Sequence, residues 1–186
     1  MAFQFKVELK NVVKPSVWRR LIVPNDCTFF RFHKILQAAF GWKTTHLFLF
    51  APNGYGSEPL ITVLNDDSDK LHDLPSDKIQ LDDIFTTPRQ KYSYVYDFGD
   101  DWHHRITLEE ITEEEITRAD CLGGEGACPP EDCGGPGGYE QLKKIMQITH
   151  HREHKEMRDW LKLQKGETWD ANKFDLESVR TALTKI

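Results

Sequence analysis

Tyr92-Ser93-Tyr94-Val95-Tyr96-Asp97-Phe98-Gly99-Asp100-Asp101-Trp102-His103-His104-Arg105-Ile106-Thr107-Leu108 sets large rings and aliphatics at every second position on both sides of an acidic, glycine-containing break. Successive side chains of a strand point to opposite faces, so this pattern predicts a β-hairpin. If residues 99–101 form a three-residue loop, Phe98 faces Trp102 and Tyr96 faces His104. Tyr94 then faces Ile106, and Tyr92 faces Leu108. One face carries every large ring, with His104 among them and His103 on the other side. A two-residue loop pairs Phe98 with Asp101 and breaks that agreement.

Upstream of the hairpin, Phe3, Phe5, Val7 and Leu9 alternate as a half-buried strand should. Pro15-Ser16 marks a turn, and residues 17–23 read as a second strand ending at Pro24, with Trp18 and Leu21 expected in the core. Thr28 is a good N-cap for a helix over 28–40, whose Phe29, Phe32, Ile35, Leu36, Ala39 and Phe40 recur at helical spacing. Gly41 closes it where a left-handed residue is wanted. Residues 46–50 suit a strand ended by Pro52-Asn53-Gly54. Residues 53–77 are polar and turn-rich, with a short edge strand over 60–64, and residues 81–85 suggest a helical turn.

Downstream, an acidic segment over 109–115 leads into a Cys/Pro/Gly loop, and the chain reads as helical to its end. Tyr139, Leu142, Ile145 and Met146 form one apolar stripe; Met157, Trp160 and Leu161 form another. Asp175 caps a third helix with Leu176, Val179, Leu183 and Ile186 inward. The expected fold class is α+β: an antiparallel or mixed sheet with one helix packed on it and a helical C-terminal region. One domain over 1–186 is expected, mainly sheet and one long helix over 1–110, loop over 111–138, and helices over 139–186.

The chain has 186 residues, 39% hydrophobic, with 11 Phe, 5 Tyr and 5 Trp, which suits a folded globule. A net charge of −6 opposes generic attraction to phosphate backbones or anionic lipid. The longest apolar runs are too short to span a bilayer, and the N-terminus lacks a signal pattern, so a cytoplasmic location is expected. With 4 cysteines in such a chain, thiols are expected rather than disulfides.

Two stretches carry a resemblance over nearly the whole chain. One is Tyr94 through Trp102 with His104; the other is Cys121 followed by Ala127-Cys128-Pro129-Pro130-Glu131-Asp132-Cys133-Gly134-Gly135 and Gly138-Tyr139. Thr28 through Trp42 with His33, then His46 and Phe174-Asp175-Leu176, also fit. The chain resembles the plasmid pRiA-type ORF-three-like family, whose members are often labelled passenger proteins of insertion elements. The resemblance implies an association with mobile elements and no particular chemistry.

The residues themselves nominate sites. Cys128 and Cys133 are spaced within the range of a zinc-binding pair; Cys121 offers a third donor and His104 or His103 a fourth, so zinc is the cofactor these donors suit. Asp97, Asp100, Asp101, Trp102, Glu131 and Asp132 define an expected functional surface, reached if the proline-rich loop folds over the hairpin tip. Carboxylates near histidine bind hard metals or exchange protons, although aspartates also serve turns for local reasons. The glycines before Tyr139 lack the Lys-Ser or Lys-Thr of a P-loop, and His150, His151 and His154 read as solvated. The leading expectation is a non-enzymatic binding or accessory protein, with a macromolecular partner in view and no membrane. A metal-dependent enzyme using Cys128, Cys133, a histidine and nearby carboxylates is second, with no catalytic residue assigned. Direct DNA binding, which needs Arg19, Arg20 and Arg31 to cluster, is third.

Overall fold

The computed structural model describes residues 1–64 and 72–186, so the part of the 53–77 reading that falls on 65–71 lies outside the described residues. Eight strands form one sheet: β1 (Ala2–Leu9), β2 (Trp18–Pro24), β3 (Phe48–Ala51), β4 (Leu60–Thr62), β5 (Asp73–Pro75), β6 (Lys91–Tyr96), β7 (Trp102–Thr112) and β8 (Asp120–Glu125). Their order is β5-β4-β3-β6-β7-β1-β2-β8, antiparallel throughout except for the parallel β4/β5 pair. Helix α1 (Phe29–Phe40) lies on one face, and α2 (Leu81–Ile84) closes its edge. The C-terminal helices are α3 (Gly135–Gln147), α4 (His154–Trp160) and α5 (Leu176–Leu183). The fold is thus α+β, with a mixed sheet, one helix packed on it and a helical C-terminal region. Among the described residues, no helix is long and apolar enough to cross a membrane.

Helix α1 is bounded as its sequence demands. The Thr28 side chain accepts from the Arg31 N–H at 3.2 Å, and Gly41 ends the helix at φ 83°. Its buried face puts Phe29, Phe32 and Leu36 against Phe5, Phe50, Phe85 and Tyr92 of the strands and α2. Ring centroids here lie 4.9–6.3 Å apart, in tilted, edge-on and stacked arrangements. Such pairs contribute about 0.5–1.5 kcal/mol each beyond burial alone.

The central hairpin keeps its expected faces but not its register. Tyr96 pairs with Trp102, Tyr94 with His104 and Tyr92 with Ile106, two residues from the expected pairing. A shift of two preserves the face of every side chain, so His104 is still inward. The strand stops at Tyr96 because Asp97 turns left-handed, at φ 56°, and its Oδ1 accepts from the Gly99 and Asp100 N–H groups at 3.0 and 3.3 Å. Phe98 is thereby taken out of the ladder and left 43% exposed.

Three further expectations change. The inner face of β2 carries Arg19, Leu21 and Val23, whereas Trp18 faces outward and donates to Glu125 at 2.9 Å. Residues three apart cannot share a strand face, so Trp18 and Leu21 were incompatible as core partners. Strand β8 lies inside the segment expected as loop, 111–138, and contains Gly123 and Gly124. A Cβ on Gly124 would lie 2.7 Å from the Phe174 ring and 2.8 Å from the Trp18 carbonyl oxygen, so the glycine admits close packing without ending the strand. The edge strand is β5, not β4.

Two histidines are sealed into the core. His33 Nδ1 lies 2.8 Å from the Tyr94 hydroxyl, which also accepts from Gln37 Nε2 at 3.0 Å. His104 Nδ1 faces the carbonyls of Trp102 and Tyr94 at 3.1 and 3.3 Å, so that nitrogen carries the proton of a neutral ring. Burial pushes both imidazoles down to about 3. The unfolded chain takes up protons near pH 6.5 while the folded protein refuses them until about pH 3, so stability falls as pH drops through that window. We expect each histidine to contribute up to about 1.4 kcal/mol of lost stability per pH unit there. Urea unfolding at pH 6 and pH 4.5 checks this: His104→Gln should show a shallower fall than the wild type.

Candidate functional site

Three segments distant in sequence meet at one end of the central hairpin. The first is the link after α1. Trp42 follows the left-handed Gly41, stacks on Phe40 and Tyr96 at 5.6 and 5.0 Å, and donates its Nε1–H to the Pro129 carbonyl at 2.9 Å. That one ring ties the helix, the hairpin and the proline-rich loop together. His46 lies on the same link, next to Leu47, whose carbonyl accepts from the Asp97 N–H at 2.9 Å.

The second segment is the Asp97 turn, and the third is the loop before α3. Glu131 accepts from the Lys43 N–H at 2.7 Å and from the Tyr96 hydroxyl at 3.0 Å. Burial, followed by the charge on Glu131, holds Tyr96 at about 12, so its hydroxyl stays a donor. The Gly134 N–H donates to Asp100 Oδ2 at 3.1 Å, and Gly135 presses against the Asp100 carbonyl where no Cβ fits. On the other side, Tyr139 donates to the Ala127 carbonyl at 2.8 Å.

At the junction, His46 Nε2 sits 3.2 Å from Asp132 Oδ1, 3.6 Å from Asp97 Oδ2 and 3.8 Å from Glu131 Oε2. This nitrogen is buried and, among the described residues, has no hydrogen-bond partner. Donor atoms of His46, Asp97 and Asp132 lie within 4.8 Å of one another; the histidine is half-buried, Asp97 buried and Asp132 exposed. Ligands about 2.0–2.2 Å from one ion stand roughly 3–3.5 Å apart at tetrahedral or octahedral angles, so the two shortest separations suit a shared cation. One imidazole and two carboxylates are a donor set that could hold a divalent metal.

Of the six residues expected at the functional surface, Asp97 and Asp132 supply donors, Glu131 lies beside them, and Asp100 anchors the loop. Asp101 turns to the other side of the hairpin, where its Oδ1 meets His103 Nε2 at 2.9 Å and the Tyr55 hydroxyl at 3.1 Å. Trp102 is 1% exposed and supports the site from beneath.

The thiol set is arranged differently. Among the described residues, Cys121, Cys128, Cys133 and His104 supply no convergent group of three donors. Cys121 is on β8, its thiol directed to the Gly123 carbonyl at 3.4 Å, and His104 is enclosed by Phe40, Trp42 and Tyr94. Burial pushes Cys133 up to about 12 and raises Cys128 and Cys121 as well. The Arg19 cation acts on both Cys121 and Cys128 and would oppose a second cation beside them. Arg19 is itself buried, donating to the carbonyls of Ala39, Trp18, Glu125 and Gly126. Arg20 pairs with Glu109 at 2.7 Å on the outer face, and Arg31 donates to the Thr117 carbonyl at 3.2 Å, so Arg19 and Arg20 join no common patch.

His46 escaped the sequence reading as a site residue. It entered only as a strand start and as part of the family pattern, and no local spacing links it to Asp97 or Asp132. The usable signal was indirect: a histidine just after a left-handed helix cap, near a tryptophan that fits the same pattern.

The comparisons agree with this architecture. A family model described as plasmid pRiA4b ORF-3-like protein matches residues 1–178. Uncharacterized protein y4hQ of Sinorhizobium fredii is 34% identical over 163 residues, covering 84% of this chain and 79% of that protein. The crystal structure of the protein of unknown function MM3350 from Methanosarcina mazei Go1 superposes with a TM-score of 0.79 at 30% identity, covering 95% of this chain and 96% of that one.

The double role of Asp97 yields a prediction. Asn keeps a carbonyl for the Gly99 and Asp100 amides and tolerates positive φ, so Asp97→Asn should cost less than about 1 kcal/mol of stability. Asp97→Ala loses both hydrogen bonds and adopts the left-handed conformation poorly, at a cost of about 1–3 kcal/mol. Chemical denaturation of the two variants measures the difference.

Proposed function

Since the chain belongs to the plasmid pRiA4b ORF-3-like family, and the names of the similar proteins y4hQ and MM3350 assign no activity, we propose its function from the site: it binds a divalent metal ion at His46, Asp97 and Asp132 and acts as a metal-dependent binding protein. The observation that supports this most is His46 Nε2, buried between two aspartate oxygens at 3.2 and 3.6 Å and without a hydrogen-bond partner among the described residues. Zinc, manganese and ferrous ions all suit one imidazole with two carboxylates, zinc being favoured where the geometry is tetrahedral. Glu131 would act from outside the donor group, adding negative charge and steadying the Lys43 backbone.

Three protein donors also leave coordination positions open, the arrangement in which a metal activates water. That favours a metal-dependent hydrolytic enzyme as the second reading. The thiol set Cys121, Cys128 and Cys133 with His104 is the rival metal location, and the same experiment separates the two.

Protein stripped with a chelator is titrated with Zn²⁺ and Mn²⁺ by calorimetry. We expect one ion per chain, affinity reduced at least tenfold in His46→Ala and Asp132→Asn, and wild-type affinity in Cys128→Ser and Cys133→Ser. Loss confined to the cysteine variants would move the ion to the thiols. Absence of any binding would overturn the metal reading.

A further inference from the structure

Resting on the metal reading, we infer that the groove between α3 and α4 is the ligand subsite of this centre, taking the apolar tail of a small molecule whose oxygen head arrives uncharged and coordinates the ion. The groove has a volume of about 250 Å³ and is lined by Asp132, Cys133, Leu142, Ile145, Met157 and Trp160. Asp132 belongs to both places: it lines the groove and approaches His46 Nε2 at 3.2 Å. A molecule seated along the groove would reach the centre at Asp132, the one of the three donors that lines it. Leu142, Ile145, Met157 and Trp160 give the walls an apolar stretch, with Leu142 and Ile145 buried and Trp160 42% exposed, while Gln141 and Glu153 supply the polar part of the lining. The larger cavity of about 750 Å³ beside Arg19 and Cys128 touches none of His46, Asp97, Glu131 or Asp132.

Size and charge limit the ligand. An apolar cavity of roughly 150 Å³ accommodates benzene, so this groove takes a tail of about six to ten carbon atoms. Asp97 and Asp132 already balance a divalent ion, and Glu131 adds a further negative charge 3.8 Å from His46 Nε2. Glu153 stands on the groove wall as well. Phosphate and other multiply charged anions are disfavoured by this field, whereas a head that arrives neutral, such as a hydroxamic acid, an amide or an alcohol, is not.

The test uses metal-loaded full-length protein and three probes: acetohydroxamic acid, octanohydroxamic acid and inorganic phosphate. The two hydroxamic acids share a chelating head and differ only in tail. Burying the longer tail should make octanohydroxamic acid bind at least tenfold more tightly, and only when metal is present. Trp160→Ala and Met157→Gln should each erase most of that preference, leaving acetohydroxamic acid and metal affinities unchanged. Circular dichroism confirms that both variants are folded. Equal affinity for the two hydroxamic acids overturns the groove assignment while the metal site stands. So does a preference that survives both variants, or phosphate binding more tightly than either. If the wild type takes up no ion, the inference falls together with the reading beneath it.

Discussion

The left-handed turn at Asp97 is the constraint on which the site depends. One carboxylate oxygen caps the Gly99 and Asp100 amides, and the other faces His46. Capping ends β6 at Tyr96, which places the Tyr96 hydroxyl under Glu131, and the Asp97 amide holds the His46 link through the Leu47 carbonyl. A single short side chain thus sets a strand end, a loop contact and the aim of a donor atom. Only a few residue types tolerate φ 56°, and an aspartate that hydrogen-bonds its own turn is one of them.

Around that turn, the proline-rich loop is fixed from both ends without regular structure of its own. Trp42 holds Pro129, Arg19 holds the carbonyls of Glu125 and Gly126, and Asp100 holds Gly134. Arg19 is a buried cation whose hydrogen bonds go to main-chain carbonyls, stacked on Phe40 and Phe174 at 5.2 and 4.6 Å. Replacing it by an apolar residue would leave those buried carbonyls unpaired, which costs more than the loss of a surface charge. The loop can then carry Glu131 and Asp132 at fixed positions although Asp132 itself is exposed and left-handed, at φ 57°. Gly138 completes the anchoring, since a Cβ there would collide with the Cys133 carbonyl oxygen at the helix entry.

Local rules recovered what is local. The Thr28 cap, the Gly41 stop, the alternation of β1 and the Asp175 cap of α5 were all legible, because each depends on residues within one turn or one strand. The hairpin faces were legible too, but its register was not: the sequence pattern counts side chains and cannot count the turn that Asp97 closes with its own carboxylate. Strand β8 was hidden by its glycines, of which Gly124 serves close packing against Phe174. Spacing drew attention to Cys128 and Cys133, yet the convergent donors come from the α1–β3 link, the hairpin turn and the loop, a coincidence of tertiary structure. The expected meeting of loop and hairpin tip was the part of the site that chemistry made visible in advance; His46 was not.

The most direct test of the account is anomalous diffraction from crystals of the chelator-stripped protein soaked in Zn²⁺ or Mn²⁺. The account predicts one strong peak at bonding distance from His46 Nε2, Asp97 Oδ2 and Asp132 Oδ1. A peak at the Cys128 and Cys133 sulfurs instead, or none with His46 hydrogen-bonded directly to an aspartate, would contradict it.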